Sequence, residues 1–424
     1  MNAVRLKLRL AFVFLALVCA GGGVAADQAP SCDSDTGITL PKGFCATVFA
    51  DGLGVARHMV VAPDGVLYVA LQSEYKGGAI VALQDSKGSG HADQMVRFGS
   101  EGGSGIALHG DYLYFATPTS VLRYKLPVAA DSKPETVVSG FPSQDEHAAK
   151  TIAIDDAGHL YVNVGAPSNA CQKDDRTPGS PGRLPCPLLE DHGGIWRFDA
   201  DKTGQHFPRG GQRYATGIRN AVAIAWLTPA KSLYVVQMGR DQLADNWPQY
   251  FSNEQSAELP GEELFKVEQG GDFGWPYCFY DQLQGKKVQA PEYGGDGKKQ
   301  GDCAHYGQPL VAFPGHWAPE ALLMYTGRQF PAAYQGGVFV SFHGSWNRAP
   351  LPQAGYKVVF MPFTDGKLGA YETFADGFAG TDKLADPNDA RYRPMGLAEG
   401  PDGSLYIGDT QKGRIWKVVY TGAP

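Results

Sequence analysis

The sequence predicts an all-β fold, a six-bladed β-propeller with disulfide-stapled loop insertions. A short turn followed by Leu-Tyr and an apolar residue recurs five times, at residues 64–69, 110–115, 157–162, 231–235 and 402–407. Turns such as Asp-Gly that lead into an alternating segment are typical of β-hairpins. Recurrence at roughly 45-residue intervals is typical of a radial β-repeat. The 55 glycines and 29 prolines of the 424 residues suit many short strands joined by tight turns.

Six repeat units can be placed along the chain. They are expected around Arg57–Gly65, Gly105–Asp111, Thr151–Asp199, Arg219–Val267, a more irregular pair of segments at 337–342 and 356–361, and Arg393–Val419. The segment Phe44–Phe49 has the alternation of a strand, and we expect it to pair into the last unit and close the ring. Closure removes sheet edges that would otherwise aggregate. No second domain is predicted.

Residues 1–26 are predicted to be a signal peptide. A basic start is followed by an apolar run, Leu10–Ala20, and a small-residue cleavage site, Val24–Ala26. The apolar run is too short for a membrane span. We therefore expect a periplasmic or secreted protein whose mature part, 27–424, is one propeller without a membrane span.

Six cysteines remain after the predicted cleavage, and an even number in an exported chain indicates disulfides. Fifteen pairings are possible, and the set that closes short loops joins Cys32 with Cys45, Cys171 with Cys186, and Cys278 with Cys303. Two long insertions, 166–192 and 275–325, each contain one of these pairs, so we expect stapled loops over one face. A metal site is the alternative, but Cys-x-x-Cys spacing is absent from the sequence.

Basic residues stand where repeat units begin, although the net charge of −7 disfavours nucleic acid or an anionic membrane as a partner. Arg219 with Asn220 opens one unit, 391–393 opens another, and His343–Arg348 ends a strand of the fifth. In a propeller the segment before an inner strand faces the central channel. Guanidinium groups that converge there favour a bound anion. The alternative is a set of surface arginines paired with acids.

His147 precedes the inner strand of the third unit and is the candidate general base, because histidine exchanges protons near neutral pH. A solvated or capping histidine is the alternative interpretation. Other histidines compete for the same role: His58, His109, His305, His316 and His343.

Several motifs in this order carry a family resemblance. They are Gly217–Asn220, Glu263–Cys278 with its Gly-Gly-Asp-Phe-Gly-Trp-Pro segment, His343–Arg348, and Ala390–Arg393 followed by Gly-Pro-Asp-Gly-Ser-Leu-Tyr. With them the chain resembles the soluble pyrroloquinoline-quinone-dependent sugar dehydrogenases, especially the bacterial sorbosone and pyranose dehydrogenase-like branch, over about residues 40–420.

The resemblance implies oxidation of an aldose or related alcohol with pyrroloquinoline quinone and Ca²⁺ as cofactors. His147 would take the hydroxyl proton while hydride passes to the quinone, and calcium would polarise the cofactor. Arg219 is assigned to both catalysis and cofactor binding. The residues implied to hold the cofactor carboxylates are Arg219, Asn220, Arg348, Arg391 and Arg393. The nearest candidate for the family's cofactor lysine is Arg348 or Asn347.

Metal and substrate residues follow from the same resemblance. The calcium loop maps to the backbone carbonyls of Ala257 and Glu258, where the family's Gly-Pro is replaced. Asn169 and Trp346 are the candidate substrate-binding residues, since an aromatic ring can stack on the apolar face of a sugar. The alternative for Asn169 is a turn residue beside a disulfide, and the alternative for Trp346 is a tryptophan packed in the core.

Two other functions are compatible with this fold. One is a calcium-dependent hydrolase of the six-bladed lactonase kind, which holds its metal by side-chain carboxylates and amides on the channel axis. The other is a non-catalytic ligand-binding propeller. For the dehydrogenase, the sequence has no Cys-x-x-Cys-His motif for haem attachment, so electrons are expected to leave to an external acceptor, a cytochrome or the quinone pool.

Overall fold

The computed structural model describes residues 32–422, so the predicted signal peptide lies outside the described residues. Strand β1 (Phe44–Ala50) is followed by six antiparallel sheets arranged as the blades of a propeller, which confirms the predicted fold class. Within residues 32–422, no helix has the length and apolar character needed to cross a membrane.

The first three blades are formed in chain order. Blade 1 contains β2 (Ala56–Val61), β3 (Leu67–Leu71), β4 (Ile80–Gln84) and β5 (Gln94–Phe98). Blade 2 contains β6 (Gly105–His109), β7 (Tyr112–Ala116), β8 (Ser120–Lys125) and β9 (Glu135–Ser139). Blade 3 contains β10 (Ile152–Ile154), β11 (His159–Val164), β12 (Gly194–Asp199) and, after the short β13 (Gln205–His206) that pairs with β9, β14 (Gln212–Thr216).

Blade 4 carries the largest additions. Its elements are β15 (Ala223–Leu227), β16 (Ser232–Gln237), helices α1 (Leu243–Asn246) and α2 (Asn253–Glu258), β17 (Glu262–Val267), the short β18 (Gly271–Asp272) that pairs with β14, the hairpin β19 (Cys278–Asp281) with β20 (Lys286–Gln289), and β21 (Val311–Phe313). Short 3₁₀ turns lie at Pro187–Glu190, Thr228–Ala230, Pro291–Tyr293, Gly301–His305, Ala332–Tyr334 and Pro387–Asp389.

The last two blades complete the ring. Blade 5 contains β22 (Pro319–Met324), β23 (Val338–Phe342), β24 (Lys357–Met361), the small hairpin β25 (Phe363–Thr364) with β26 (Lys367–Leu368), and β27 (Glu372–Ala375). Blade 6 contains β28 (Pro394–Glu399), β29 (Leu405–Asp409) and β30 (Ile415–Tyr420), with β1 as its fourth strand. Pairing of Phe44 with Tyr420 begins the β1–β30 register, so the expected closure is confirmed.

The recurring Leu-Tyr pair has a packing reason. In β3, Leu67 and Val69 pack toward Tyr406 of blade 6, whereas Tyr68 packs toward Leu113 of blade 2. Alternate residues of a strand point to opposite faces of the sheet. Because each blade is covered by a neighbour on both sides, both faces of its second strand must be apolar. The core therefore lies between the blades.

The first strands of the six blades surround the central channel. Each contacts the first strand of the blade before it and of the blade after it, in the cycle β2, β6, β10, β15, β22, β28 and back to β2. Side chains at the beginning of these strands are therefore brought to one place from positions separated by more than 300 residues.

The insertions are close to the predicted ones, with two differences. The first insertion occupies the interval between β11 and β12, as expected. The second ends before β21, because residues 311–324 contain two blade strands. A further insertion, 238–261, carries both helices and was not predicted, although Ser252 and Gln255 form a capping box that can be read in the sequence.

All three predicted disulfides are present, and they join Cys32 with Cys45, Cys171 with Cys186, and Cys278 with Cys303. The Cys171–Cys186 bridge spans 15 residues of the first insertion. It restricts a loop that packs beside the channel.

We expect the double variant Cys171→Ala with Cys186→Ala to lose about 3 kcal/mol of unfolding free energy, because a loop of this length gains chain entropy in the unfolded state. Denaturant unfolding of the oxidised proteins measures the difference. Dithiothreitol should shift the wild-type midpoint in the same direction. An unchanged midpoint in the double variant would contradict a stabilising bridge.

Candidate active site

The channel is shaped by irregular starts of three inner strands. β2, β22 and β28 each have a register shift at that end, at residues 56–59, 319–321 and 394–397. Such bulges redirect side chains out of the regular alternation. Arg57 and Glu320 lie in two of these bulges, and Arg57 Nη2 is 3.4 Å from Glu320 Oε2. The bulges thus bring charged side chains of two blades together.

One cavity of about 420 Å³ lies against these residues, and we name it the Arg57 chamber. Five blades contribute a polar residue from the start of an inner strand: Arg57, Ser104, Lys150, Asn220 and Glu320. Arg57 Nε donates to Ser104 Oγ at 3.2 Å. Burial raises the pKa of Glu320, although Arg57 and Arg393 act in the opposite direction. Among these five residues, Arg57 and Lys150 are basic and Glu320 is acidic, so basic groups outnumber acidic ones.

A second cavity of about 540 Å³ is named the Glu262 chamber. Its wall is strongly polar and includes Glu146, Arg176, Arg219, Asp241, Glu262, His316 and Asn347, together with the indole of Trp346. Both chambers are lined by His147 and Met238. His147 is thus the titratable side chain common to both.

His147 is fixed in a defined orientation. Its backbone has a φ of 54°, and its Nδ1 is 2.5 Å from the carbonyl oxygen of Ala166. Since a carbonyl oxygen only accepts, Nδ1 carries the proton and Nε2 keeps a lone pair. Burial, assisted by the cation of Arg219, lowers the pKa of His147 to about 4. A Cβ at Gly165 would lie 2.6 Å from His147 Cβ, so only glycine fits there. The ring is therefore a neutral base at physiological pH.

Arg219 is buried and held by hydrogen bonds from behind. Its Nη1 donates to Gly239 O at 2.7 Å, its Nε to Asn169 O at 3.2 Å, and its Nη2 to Asp241 Oδ2 at 2.8 Å. Asn169 closes the network, because its amide oxygen accepts from Asp241 N at 2.8 Å. The guanidinium position is therefore set by the protein before any ligand binds.

Asp241 carries the negative charge of this network. Burial opposes its ionisation, but Arg219, His316 and Arg176 outweigh burial and lower the pKa of Asp241 to about 2. Arg176 Nη2 donates to Asp241 Oδ2 at 3.1 Å. The carboxylate is therefore ionised throughout the physiological range and contacts two guanidinium groups.

Arg176 reaches this cavity from the loop closed by Cys171 and Cys186. Its guanidinium donates to both carboxylate oxygens of Glu146, at 3.0 and 3.2 Å. Glu146 immediately precedes His147. The insertion therefore supplies a side chain that holds the histidine segment in place.

Glu262 differs from the other acids of the cavity. Its two oxygens accept from Gly239 N at 2.8 Å and from Ala318 N at 3.2 Å. Among residues 32–422 no cationic side chain forms an ion pair with it, and burial raises the pKa of Glu262 to about 8. The cavity therefore contains a carboxyl group that is mostly protonated at neutral pH.

A chain of buried, hydrogen-bonded polar groups fixes the backbone of Arg219. Gln237 accepts from Arg219 N at 3.0 Å and donates to Glu263 Oε1 at 2.7 Å. Lys287 Nζ is 2.7 Å from Glu263 Oε2 and donates to Phe273 O at 2.7 Å. Lys287 lies on β20, so this chain of contacts also fixes the second insertion to blade 4.

The structure brings together part of the predicted site. His147, Arg219 and Trp346 line the Glu262 chamber, and Asn220 with His147 lines the Arg57 chamber. Arg393 lies close by, because its charge acts on the carboxyl of Glu320, and its guanidinium donates to His343 O at 3.2 Å and Gly344 O at 2.6 Å.

Other predicted residues lie elsewhere. Arg348 binds helix α2, with Nη1 2.6 Å from Ala257 O and Nη2 2.6 Å from Glu258 Oε1. The carbonyl of Glu258 accepts from the backbone of Gly315 and the side chain of Gln282. The carbonyls of Ala257 and Glu258 are thus engaged within the protein and do not form an open metal loop.

Two further predicted residues are also separated from the cavity surfaces. Arg391 is exposed, and its guanidinium lies against Gly37 and Gly380. Asn169 is fully buried behind Arg219, with its amide bonded to Asp241. Its position indicates that Asn169 holds the side chain of Arg219 in place.

The competing histidines have different surroundings. His316 lines the Glu262 chamber, and its Nε2 contacts the carbonyls of Ser256 and Leu259. His58 and His343 are bonded to Glu320 O and Thr410 Oγ1. His109 lies 3.7 Å from Asp201, and the ring of His305 packs against that of Tyr306 at an angle of 38°.

Sequence reasoning missed most polar residues of the two chambers, and four of them show why. Lys150 could have been found, because it stands just before an inner strand, β10, as Arg393 stands before β28. Asp241 follows the end of β16 and was hidden by the unpredicted insertion. Arg176 and Glu262 have no local signal, since the first lies within a loop and the second in a Glu-Glu pair of a buried strand.

The chain is similar in sequence to a known family and to curated proteins. A family model described as TrAA12-like matches residues 38–421. A pyrroloquinoline quinone-dependent pyranose dehydrogenase of Coprinopsis cinerea is 26% identical over 174 residues, which cover 36% of this chain and 23% of that protein. The aligned segments span 48% or less of the length of the curated relatives that the chain matches.

Two solved structures share the fold over most of the chain. The holo form of the pyranose dehydrogenase PQQ domain from Coprinopsis cinerea has a TM-score of 0.71 at 18% identity, over 90% of this chain and 97% of that one. A calcium structure of a Trichoderma reesei carbohydrate-active enzyme of family AA12 has a TM-score of 0.72 at 19% identity, over 92% and 98%. At this identity the likeness shows the fold.

We expect Lys287→Met to lower the unfolding free energy by about 3–5 kcal/mol, because the carboxylate of Glu263 is left buried without its cation. The double variant Lys287→Met with Glu263→Gln should recover a large part of this loss. Urea denaturation of the single and double variants measures the coupling. Equal losses in the single and double variants would contradict a coupled pair.

Proposed function

The chain belongs to the TrAA12-like family, and we propose that it is a quinoprotein dehydrogenase that oxidises an aldose or a related sugar-like alcohol with pyrroloquinoline quinone. The proposal depends on one observation above all, the free Nε2 of His147 at the junction of two polar cavities. The pyranose dehydrogenase among the relatives supports the same chemistry.

In this proposal His147 is the general base. A sugar hydroxyl in the Glu262 chamber gives its proton to Nε2, while Nδ1 stays bonded to Ala166 O. The resulting imidazolium is favoured by the carboxylates of Asp241 and Glu146, both of which act to raise the pKa of His147. Charge is therefore compensated where it develops.

The donor set of the Arg57 chamber fits a tricarboxylate. Arg57, Lys150 and the neighbouring Arg393 supply cations, and Asn220 supplies an amide, which is the donor chemistry that carboxylates require. Bound pyrroloquinoline quinone supplies the acceptor for the hydride of the oxidised carbon. The protein's contribution is to bind and orient the cofactor and to position the base.

Calcium fits less well at the residues implied by the family resemblance. The carbonyls of Ala257 and Glu258 accept internal hydrogen bonds. Among residues 32–422 no group of three or more His, Cys, Asp or Glu side chains could hold a metal. Glu262, which is mostly protonated at neutral pH, would have to lose its proton to bind a cation, so calcium enters the proposal as an addition to test in the assay.

Trp346 and Asn347 are proposed to contact the sugar. The indole of Trp346 is 51% exposed at the Glu262 chamber, where it can stack on the apolar face of a pyranose. Asn347 Oδ1 is buried and has no hydrogen-bond partner among the described residues, so a sugar hydroxyl can donate to it.

Location and electron transfer complete the proposal. Three disulfides agree with an oxidising compartment, so we propose export to the periplasm or beyond. Electrons then pass to an external acceptor such as a cytochrome or a quinone.

Dye reduction by the purified protein with a panel of aldoses, sorbosone and pyranoses tests the reaction. Pyrroloquinoline quinone and Ca²⁺ are added singly and together. Turnover that requires the quinone supports the dehydrogenase, and its dependence on Ca²⁺ tests the metal. Lactone hydrolysis without dye reduction would favour the hydrolase alternative.

We expect His147→Gln to lower turnover by about 10²–10⁴-fold, because the proton acceptor is lost, while quinone affinity is retained. Wild-type activity should fall as the pH decreases through about 4, where Nε2 becomes protonated. His305→Gln is the matched control, since that ring is exposed. Full activity of His147→Gln would remove it as the base.

We expect Arg393→Gln to weaken quinone affinity by about 1.5–3 kcal/mol, the cost of a lost hydrogen bond to a charged group. Arg391→Gln should leave the affinity unchanged, because Arg391 is exposed beside Gly37 and Gly380. Isothermal titration calorimetry with pyrroloquinoline quinone separates the two. An equal loss in both variants would place Arg391 at the cofactor as well.

A further inference from the structure

Two lysines with fully buried side chains, Lys150 and Lys287, differ in their partners. Lys287 has the carboxylate of Glu263 at 2.7 Å. Lys150 Nζ donates to the carbonyl of Ala148 at 2.8 Å, and within residues 32–422 no carboxylate forms an ion pair with it. A buried charge is normally paired, because losing its hydration is unfavourable. Lys150 therefore carries a cation that the protein alone does not neutralise.

The groups around Lys150 do not supply the missing charge. Asp145 is exposed to solvent, and Glu320 is paired with Arg57. His147 is neutral above pH 4. Burial alone lowers the pKa of Lys150 to about 8, with no contribution from a neighbouring charge. At neutral pH the lysine is thus mainly a cation beside the Arg57 chamber.

We propose that Lys150 selects a carboxylate-bearing ligand for the Arg57 chamber. The ammonium need not touch the ligand, because an electrostatic attraction acts over several ångströms through a medium of low dielectric constant. This inference deepens the proposed function and depends on it where the ligand is pyrroloquinoline quinone. A sugar acid such as glucuronate offers the same chemistry from the substrate side.

Calorimetric titration of pyrroloquinoline quinone and, separately, of glucuronate tests the proposal. The proteins are wild type, Lys150→Met, Lys150→Arg and the exposed-lysine control Lys266→Met. We expect Lys150→Met to bind at least about tenfold more weakly, and Lys150→Arg to keep most of the affinity. Wild-type affinity should fall between pH 7 and 9.5 as Lys150 loses its proton, and the affinity of Lys150→Met should not.

Each outcome has a defined meaning. Weaker binding of the quinone alone identifies the cofactor carboxylate as the partner, and weaker binding of glucuronate alone identifies a sugar acid. Equal affinity of Lys150→Met and wild type overturns the role of Lys150 and leaves the proposed function intact. If the wild-type protein binds neither probe, the role of Lys150 and the proposed function are both overturned.

Unfolding measurements provide a readout that does not need a ligand. The unfolded lysine holds its proton more tightly than the folded one, so wild-type stability should rise relative to Lys150→Met between pH 8 and about 10.4. Lys150→Met should also be at least as stable as wild type at pH 7. A less stable variant without this pH dependence would make Lys150 a purely structural residue and overturn the proposal.

Discussion

The hydrogen-bonded pairing of β1 with β30 is the constraint on which the channel depends. The strand nearest the N-terminus of the described chain completes the last blade, so the first strands of blades 1 and 6 lie side by side. Without this closure Arg57 and Arg393 would stand at opposite ends of an open array of sheets. Closure places them with Glu320 around one axis, and it satisfies sheet edges that would otherwise be exposed. The chemistry of the channel is therefore a consequence of ring closure.

The fold could be predicted because its packing rule is local. Each blade needs a second strand with two apolar faces, and this requirement produces the Leu-Tyr repeat at a constant spacing. The disulfides followed from an even cysteine count and short separations. The helices of the insertion 238–261 were missed because they are short and interrupt the repeat. The capping box formed by Ser252 and Gln255 is the sequence signal that indicates one of them.

Most of the site residues that could be predicted lie in the segment before an inner strand, and Trp346, which follows β23, is an exception. This rule found Arg219, Asn220 and Arg393, and it would also have found Lys150. It placed Arg391 in the site as well, but the backbone N–H of Arg391 donates to Ala379 O and its side chain is exposed beside Gly37 and Gly380. Arg176 was out of reach, since its position depends on how an entire disulfide-closed insertion folds against Glu146.

The two chambers differ in how their charges are balanced. Around Asp241, the guanidinium groups of Arg219 and Arg176 are balanced by the carboxylates of Asp241 and Glu146, and their hydrogen bonds are made within the protein. Such a network is rigid and ready for a ligand, because reorganising it would leave buried charges unpaired. Lys150 and Glu262, by contrast, lack a partner of opposite charge among the described residues, and burial moves their pKa values toward each other, each to about 8.

That contrast has a consequence for ligand binding. An anion near Lys150 would balance the cation that the apoprotein leaves unpaired, whereas the mostly protonated carboxyl of Glu262 can form hydrogen bonds with a neutral hydroxyl. Lys150 and Glu262 thus give the two chambers preferences for different ligands. His147 borders both chambers, so a ligand pair sorted in this way meets at its Nε2, which can accept a proton.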